Sequence, residues 1–495
     1  MAEKKAGVSI GARAFLASFL ILLALMVGAG VLTRVVPTGS FERVQTAEGT
    51  VIDPASYRQT PRPDYPVWRW FTAPFEVLGS EDALTVIVIV AFIAIVGGSF
   101  AVLQRAGILQ GAVDALARRA GGRKYRLLAL VTLFFMLIGS LMGIFEEVIP
   151  LVPVAIALAV SLGWDLTVGL GMSILATGFG FSAAIANPFS IGTAQRLAGV
   201  PVFSGAAFRV AVFALIYALY VAWLVRAAKR SERLAAHPAV PPAPAAGPAA
   251  APIATSADAD EAPDPVSAAS TAAGEAPRVA RGIRFFAVAA VLLLAAVMTI
   301  SLTGSLSDYS MPITAVLFLA AGLGSGLVAG LGARRAAKAF WEGLVAVLPA
   351  AVLILMAISV KRIIVSGGII DTILETARRA VADSSSYGAA ALIYLLTLFM
   401  NFFIGSATAK AFLLIPIIAP LGDLAGVSRQ TVIQAFAFGD GFSNMLYPTN
   451  AVLLISLGIA GMSWPTWIKK TWKLQAGMLL VTMALLMLAV AIGYS

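Results

Sequence analysis

Apolar runs of about 20 residues, the length that crosses a bilayer, recur along the whole 495-residue chain with short polar stretches between them. Continuous runs predict spans over 14–33, 83–103, 207–226, 283–303, 312–332, 340–360 and 474–493. Two more, 166–203 and 428–462, are interrupted by Gly, Asn and Pro, the first over Gly178 to Ser190 and the second from Gly439 to Asn450. The stretches 127–163 and 387–425 are apolar but break midway, and neither has the roughly 40 residues that two crossings need. The first breaks at Gly143 and Glu146-Glu147, the second at Gly405-Ser406-Ala407-Thr408. Each predicts a re-entrant hairpin. Within hydrocarbon an unpaired backbone group costs several kcal/mol, so such breaks must be buried in protein or line a cavity. Residues 104–126 and 361–386 carry apolar positions at helical spacing and several arginines, which predicts two amphipathic helices lying on the surface.

The polar stretches set an orientation. The start is basic (Lys4, Lys5, Arg13), while 34–82 holds more acids than bases and four Trp or Tyr residues between 57 and 70. Cationic loops stay inside and aromatic residues favour the interface, so the N-terminus is expected in the cytoplasm and the first span is read as retained. Residues 231–281 are Ala, Pro, Ser and acids with almost no large apolar side chain. They cannot bury enough surface to offset ordering, and a disordered cytoplasmic linker is expected. Lys469, Lys470 and Lys473 are placed in an inner loop, which gives nine crossings and a periplasmic C-terminus.

The two breaks are related. Gly178-Phe179-Gly180-Phe181-Ser182 matches Gly439-Asp440-Gly441-Phe442-Ser443 at four of five positions, 261 residues apart. At that offset Gly107 falls on Gly368 and Glu146-Glu147 on Ala407-Thr408, and Ala117-Arg118-Arg119-Ala120 matches Ala377-Arg378-Arg379-Ala380 with one gap. Four blocks in one order predict a duplicated unit. Five crossings lie between the amphipathic helices, an odd number, so the fold class is an all-α polytopic membrane protein with an inverted repeat. Lys361, Arg362, Arg378 and Arg379 would then face outward, partly offset by Asp371, Glu375 and Asp383.

The predicted divisions are 1–126 (scaffold helices and first amphipathic helix), 127–203 (first hairpin and interrupted helix), 204–230 (scaffold helix) and 231–281 (linker). They continue as 282–386 (scaffold helices and second amphipathic helix), 387–462 (second hairpin and interrupted helix) and 463–495 (last scaffold helix).

Composition narrows the function classes. The chain is 60% hydrophobic and 12% charged, with a net charge of +10 that cytoplasmic loops account for without nucleic acid. There is no cysteine, and the only histidine, His237, lies in the linker. That leaves no thiolate metal site, no histidine triad and no phosphate loop, and an enzyme is not expected.

Glu146 and Glu147 stand out, because an acid inside a bilayer costs at least about 2.5–3.5 kcal/mol and usually faces a cavity or a partner. Two roles fit, a proton carrier or a seat for a cationic solute group; a plain loop between two spans remains the alternative. Lys410 could pair with an acid or attract a carboxylate, or snorkel to the interface; Asp440 could ligate a cation or pair with Lys410. Asn187, Ser190, Thr193, Ser406, Thr408, Asn444, Thr449 and Asn450 cluster at the breaks, where freed carbonyls hold cations and helix N-termini favour carboxylates. Each taken singly also suits local capping. No resident cofactor is expected. A coupling ion would be H+ or Na+, with sodium placed near Gly178, Asn187 and Asn444.

At these residues the chain resembles the YfcC branch of the anaerobic four-carbon-dicarboxylate carrier family, most clearly in GFGFSAAIANPFSIGTAQRLAGV (178–200) and SRQTVIQAFAFGDGFSNMLYPTN (428–450). The resemblance implies a multi-pass secondary transporter of the bacterial inner membrane. It also implies kinship with the wider ion-transporter superfamily, whose homodimers move a transport domain against a scaffold, the elevator mechanism. Implied solutes are basic amino acids such as arginine and ornithine, exchanged, or four-carbon dicarboxylates. Sodium-coupled members of the wider group carry Ser-Asn-Thr at their hairpin tips; here the tips read Phe145-Glu146-Glu147 and Gly405-Ser406-Ala407-Thr408, so sodium, proton and pure exchange all stay open. The rival classes are an ion channel, which would need a continuous polar pore, and an intramembrane enzyme.

Overall fold

The computed structural model describes residues 12–46, 49–80, 83–120, 122–236, 265–303 and 309–495. α1 (Ala12–Val35) leads into a polar segment that is not all loop. There β1 (Gly39–Ser40) pairs antiparallel with β4 (Arg58–Gln59), and β2 (Arg43–Thr46) with β3 (Gly49–Ile52), Arg43 lying opposite Ile52. α2 (Arg69–Glu76) and α3 (Ala83–Arg105) follow. The first half continues with α4 (Ile108–Ala120) and α5 (Lys124–Leu137), which ends in a π turn at Ile138–Met142. A 3-10 turn at Glu146–Leu151 starts α6 (Val152–Ser161). Next come α7 (Leu166–Leu170), a second π turn at Gly171–Leu175 and α8 (Ala176–Ser182). After a break, the chain re-enters helix at Pro188–Gly192 and α9 (Thr193–Leu197), then α10 (Ala206–Ala236).

The second half holds α11 (Pro265–Thr303), α12 (Ser310–Val328), α13 (Ala333–Ala346), α14 (Leu348–Ser366) and α15 (Ile370–Ala382). Then come α16 (Ser386–Asn401), α17 (Ala407–Leu424), α18 (Arg429–Ser443), α19 (Ala451–Ile459) and α20 (Trp464–Ala491).

Among the described residues nine helices are long and apolar enough to cross a membrane. The number equals the expected crossings, but the members differ. The arms Lys124–Met142 and Ala407–Leu424 qualify, whereas 166–203 and 428–462 are cut into pieces too short to do so. Several expected boundaries are corrected. The span drawn at 340–360 is two helices that meet at Val347, with Pro349 in the first turn of α14, where a missing N–H costs nothing. α14 therefore runs on to Ser366 and carries Lys361 and Arg362, which do not belong to the amphipathic helix. Lys469, Lys470 and Lys473 lie inside α20, not in a loop. The interruptions are narrower than expected: Gly178 and Asp440 are both helical, and the chain leaves helix only after Ser182 and Ser443. Helix runs to Ala236 and restarts at Pro265, so both ends of the expected linker are helical; its centre, 237–264, lies outside the described residues.

The order of elements in the two halves recurs, and so do their stops. Gly163 (φ +83°) ends α6 as Gly426 (φ +71°) ends α17, and each is followed by the long-range C-cap bond of the left-handed stop, Trp164 N–H to Ala159 and Val427 N–H to Gly422. Gly199 (φ +66°) and Gly461 (φ +63°) do the same after α9 and α19. Asn187 and Asn450 both cap the short helix after the break, Asn187 accepting from Phe189 N–H and Ser190 N–H, Asn450 from Leu453 N–H. That pair is 263 residues apart rather than 261, so two residues have slipped between the matched motif and the cap.

α8 is buried along its whole length, and α18 everywhere but Arg429. The glycines of the repeated motif explain how. A Cβ on Gly180 would lie 2.0 Å from the Met136 carbonyl oxygen of α5, one on Gly439 would lie 2.7 Å from the Tyr394 carbonyl oxygen of α16, and one on Gly441 would lie 2.2 Å from Ser182. Small residues let backbones approach where lipid supplies no hydrophobic drive between helices. The motif is thus a crossing of α8 and α18 on each other and on α5 and α16. The charges of α15 are answered locally. Asp371 accepts from Phe41 N–H (2.9 Å) and Arg43 (3.1 Å), which ties the β1–β2 segment to α15. Glu375 accepts from Arg378 and Arg379 (2.5 and 2.7 Å), and the Arg378 hydrogen bond holds its carboxyl below the usual range.

Gly180→Ala should lower the thermal unfolding temperature of the detergent-solubilised protein, an overpacking cost of roughly 1–3 kcal/mol against backbone that cannot step aside. Gly28→Ala, on an exposed face of α1 with nothing within 4 Å, should leave it equal or slightly raised.

Candidate functional site

Where the helices stop, the freed backbone groups find partners from neighbouring elements. In the first break Ile185 N–H donates to Ser140 Oγ (3.0 Å) and the Ile185 carbonyl accepts from Arg209 Nε (2.8 Å). In the second, the Met445 carbonyl accepts from Trp467 Nε1 (2.9 Å) and Gln475 Nε2 (3.1 Å), the Leu446 carbonyl accepts from Trp464 Nε1 (3.0 Å), and the Tyr447 hydroxyl donates to the Leu398 carbonyl (3.0 Å). With those groups answered, a smaller set is left facing open space.

That space is a cavity of about 400 Å³ walled by α3, α12 and α14 on one side and, on the other, by the 3-10 turn at Glu146–Leu151, the turn between α16 and α17 and the break before α19. Its polar lining is Glu146, Lys361, Asn401, Ser406, Thr449 and Asn450, set among Phe92, Phe402 and Ile455. Four of these, Glu146, Ser406, Thr449 and Asn450, are residues the sequence points to. Asn401 and Lys361 are not. A lone amide in the run Leu395 to Ile404 was the available signal for Asn401, while Lys361 was hidden by the misplaced end of α14. A wider depression of about 650 Å³ lies beside Arg69 and Glu76, but these two pair with each other at 2.8 Å and stand apart from the breaks.

Two helices begin at this cavity. Ser406 caps α17 by accepting from Ala409 N–H (3.3 Å), and Asn450 caps α19 through Leu453 N–H (3.0 Å). In each, the amides of the first two residues have no intrahelical acceptor, so Ala407 with Thr408, and Ala451 with Val452, present N–H groups at helix starts. The aligned dipoles make such ends attractive to a carboxylate. The 3-10 turn that follows Gly143 (φ +67°) places Glu146 in the lining. Glu147 turns instead toward Ser310 at the start of α12.

Behind the lining lies a buried polar network. Lys410 and Asp440 are both 0% exposed, and the ammonium stands 2.5 Å from Asp440 Oδ1. Lys410 also donates to the Ile404 carbonyl (2.7 Å) and to Asn401 Oδ1. Apart from the ion contact, neither oxygen of Asp440 accepts a hydrogen bond among the described residues. Asn401 Nδ2 donates to the Asp440 carbonyl (2.9 Å), to Ser443 Oγ (2.7 Å) and to Asn444 Oδ1 (2.9 Å), which fixes its amide oxygen toward the ammonium. Asn444 Oδ1 also accepts from Asn450 Nδ2 (3.0 Å). The pair is therefore one hydrogen bond behind the cavity wall at Asn401 and three behind it at Asn450, by way of Asn444 and Asn401.

The remaining expected residues are scattered. Thr408 Oγ1 donates to the Phe189 carbonyl (3.2 Å), tying the start of α17 to the turn after the first break. Thr449 Oγ1 donates to the Phe402 carbonyl (2.8 Å), and Thr193 to that of Pro188 (3.1 Å), so both brace backbone. Asn187 Nδ2 and Ser190 Oγ are buried without a partner among the described residues. Of the three residues named for sodium, Gly178 packs on the Met445 side chain, where its Cβ would stand 2.6 Å from the methylene. Asn187 spends its amide oxygen on its cap, and Asn444 spends its own on Asn401 and Asn450.

The multi-pass helical architecture holds a partly open cavity at its helix breaks, and sequence comparison gives the class as transporter. The profile of the DcuC family, C4-dicarboxylate anaerobic carrier, matches residues 15–491, and the chain belongs to that family. It is 28% identical over 478 residues to the Escherichia coli (strain K12) protein named "Putative basic amino acid antiporter YfcC", covering 88% of both chains. It is 25% identical over 417 residues to an uncharacterized protein of Haemophilus influenzae, covering 83% of this chain and 77% of that one. Among solved structures it aligns with the Alcanivorax borkumensis YdaH transporter at 19% identity and a TM-score of 0.42, over 97% and 98% of the two chains. Neisseria gonorrhoeae MtrF aligns at 16% and 0.37, over 95% and 94%.

Removing one member of the buried pair strands the other. Lys410→Met alone, or Asp440→Leu alone, should cost roughly 3–5 kcal/mol, and the double change should cost less than either single one. Thermal unfolding of the four proteins closes the cycle.

Proposed function

We propose that the chain is a secondary active carrier that exchanges small carboxylate-bearing solutes, with basic amino acids such as arginine and ornithine favoured. The observation that carries this is the lining of the 400 Å³ cavity, where one carboxylate, Glu146, shares a space with the caps of two helix starts and Lys361. A solute with opposite charges at its two ends satisfies all of them. Its carboxylate meets the amides of α17 and α19, and its amino or guanidinium group meets Glu146. The name of the Escherichia coli relative, an amino acid antiporter, points the same way.

The cavity's walls suit alternating access. Lys361 stands on α14 and Phe92 on α3, helices of the expected scaffold, whereas Glu146, Asn401, Ser406 and Asn450 belong to the two helix–break–helix units. We read those units as re-entrant hairpins and interrupted helices of an inverted repeat, moving together against the scaffold of a homodimer in the inner membrane. Glycine-mediated crossings of α8 and α18 would carry them as one body.

A second reading has its own support. Lys361 and the two helix starts outnumber Glu146, and the family's description names C4-dicarboxylates. One carboxylate of succinate would take the helix starts and the other Lys361, with Glu146 carrying a proton.

Counterflow in proteoliposomes separates the readings. Unlabelled arginine or ornithine inside should accelerate labelled arginine entry, and Glu146→Gln should lower that rate about tenfold or more, the cost of roughly 1.4 kcal/mol of lost ion contact. Lys361→Met should weaken arginine but spare agmatine, which lacks the carboxylate. Acceleration by succinate alone would overturn the amino acid reading in favour of the dicarboxylate one.

A further inference from the structure

The Lys410 ammonium sits where a bound metal ion would sit. Its neighbours are all oxygens: the Asp440 carboxylate, the Asn401 amide oxygen and the Ile404 carbonyl. Carboxylate, amide and backbone carbonyl oxygens are the ligands that hard cations take from proteins, and carbonyls released at a helix break are a common source. Ile404 is such a carbonyl, since α16 ends at Asn401 and α17 begins at Ala407. Among the described residues Asp440 has no other partner to neutralise it, and Asn401 is held in the orientation that offers oxygen by the three acceptors that share its two N–H hydrogens.

We infer that this is a monovalent-cation site occupied by the chain's own side chain, so that Lys410 is a tethered cation. The tether has two consequences. Occupancy cannot change during a transport cycle, so this half of the molecule couples no free cation at that position. The charge that Asp440 needs is supplied permanently, and the start of α17 and the amides lining the cavity stay ordered whether or not solute is bound. The arrangement occurs once: at the offset of the repeated motif, Lys410 corresponds to Ile149 and Asp440 to Phe179. The inference is independent of which solute the carrier takes.

The test is to remove the tether and supply the ion. Melting temperatures of the purified full-length protein are measured in choline, lithium, sodium and potassium chloride at one ionic strength, for wild type, Lys410→Ala and Lys410→Ala/Asp440→Asn. Wild type should melt alike in all four. Lys410→Ala should melt lower in choline and recover by at least about 2 °C, saturably, with one or more alkali cations. The double variant, which has no carboxylate to neutralise, should fold and show no such response. A Lys410→Ala protein that melts alike in every salt, or folds in none, overturns the inference. So does an alkali-cation response in wild type, or a response retained by the double variant.

Discussion

Every break in a helix inside an apolar interior releases N–H and carbonyl groups that hydrocarbon cannot satisfy. The molecule meets this constraint by dividing the freed groups into two sets. One set is answered by neighbouring side chains: Arg209 and Ser140 at the first break, Trp464, Trp467, Gln475 and Tyr447 at the second. The other set, the starts of α17 and α19, is capped at one amide each by Ser406 and Asn450, both of which line the cavity. Several polar residues at the breaks brace backbone: Thr193 and Thr408 do so away from the space, and Thr449 does so from its wall.

The buried ion pair obeys the same logic at a higher cost. Two charges taken from water recover their desolvation only with good geometry and further hydrogen bonds. Lys410 has both, with a carboxylate, a carbonyl and an amide around it. Among the described residues Asp440 has only the lysine, and that asymmetry makes the carboxylate the member that depends on its partner. Asn401 joins the two levels of the site. It lines the cavity and holds the network behind it, so a ligand that pulls on its amide also acts on the pair.

Much of the architecture is readable from residues, because it follows from strong local rules. Gly and Pro stop helices, apolar length selects spans, and a motif recurring at 261 residues picks out two helices, α8 and α18, that cross each other. What was lost was lost to boundaries. Pro349 suits a helix start as well as a helix stop, and reading 340–360 as one span cut α14 short and sent Lys361 to the surface. The glycines of 178–182 and 439–443 look like helix breakers by propensity, but tertiary contact keeps them helical, because only a missing Cβ allows Gly180 against Met136 and Gly441 against Ser182. Periodicity cannot tell a glycine that ends a helix from one that lets another helix cross it.

The repeat is similarly informative where it is imperfect. Its caps agree, Asn187 with Asn450, while its charges do not. The first half carries acids at its break, Glu146 and Glu147, and the second carries a buried lysine and aspartate at and beyond its own. Both helix starts at the cavity, those of α17 and α19, come from the second half, and each end carries partial positive charge. Side chains that differ between the halves make the two sides of the cavity unlike each other. Glu146 on one half and Asn401 and Ser406 on the other are such a difference, and they meet in a single space. Symmetry builds the place where helices stop; the departures from it give that place a direction.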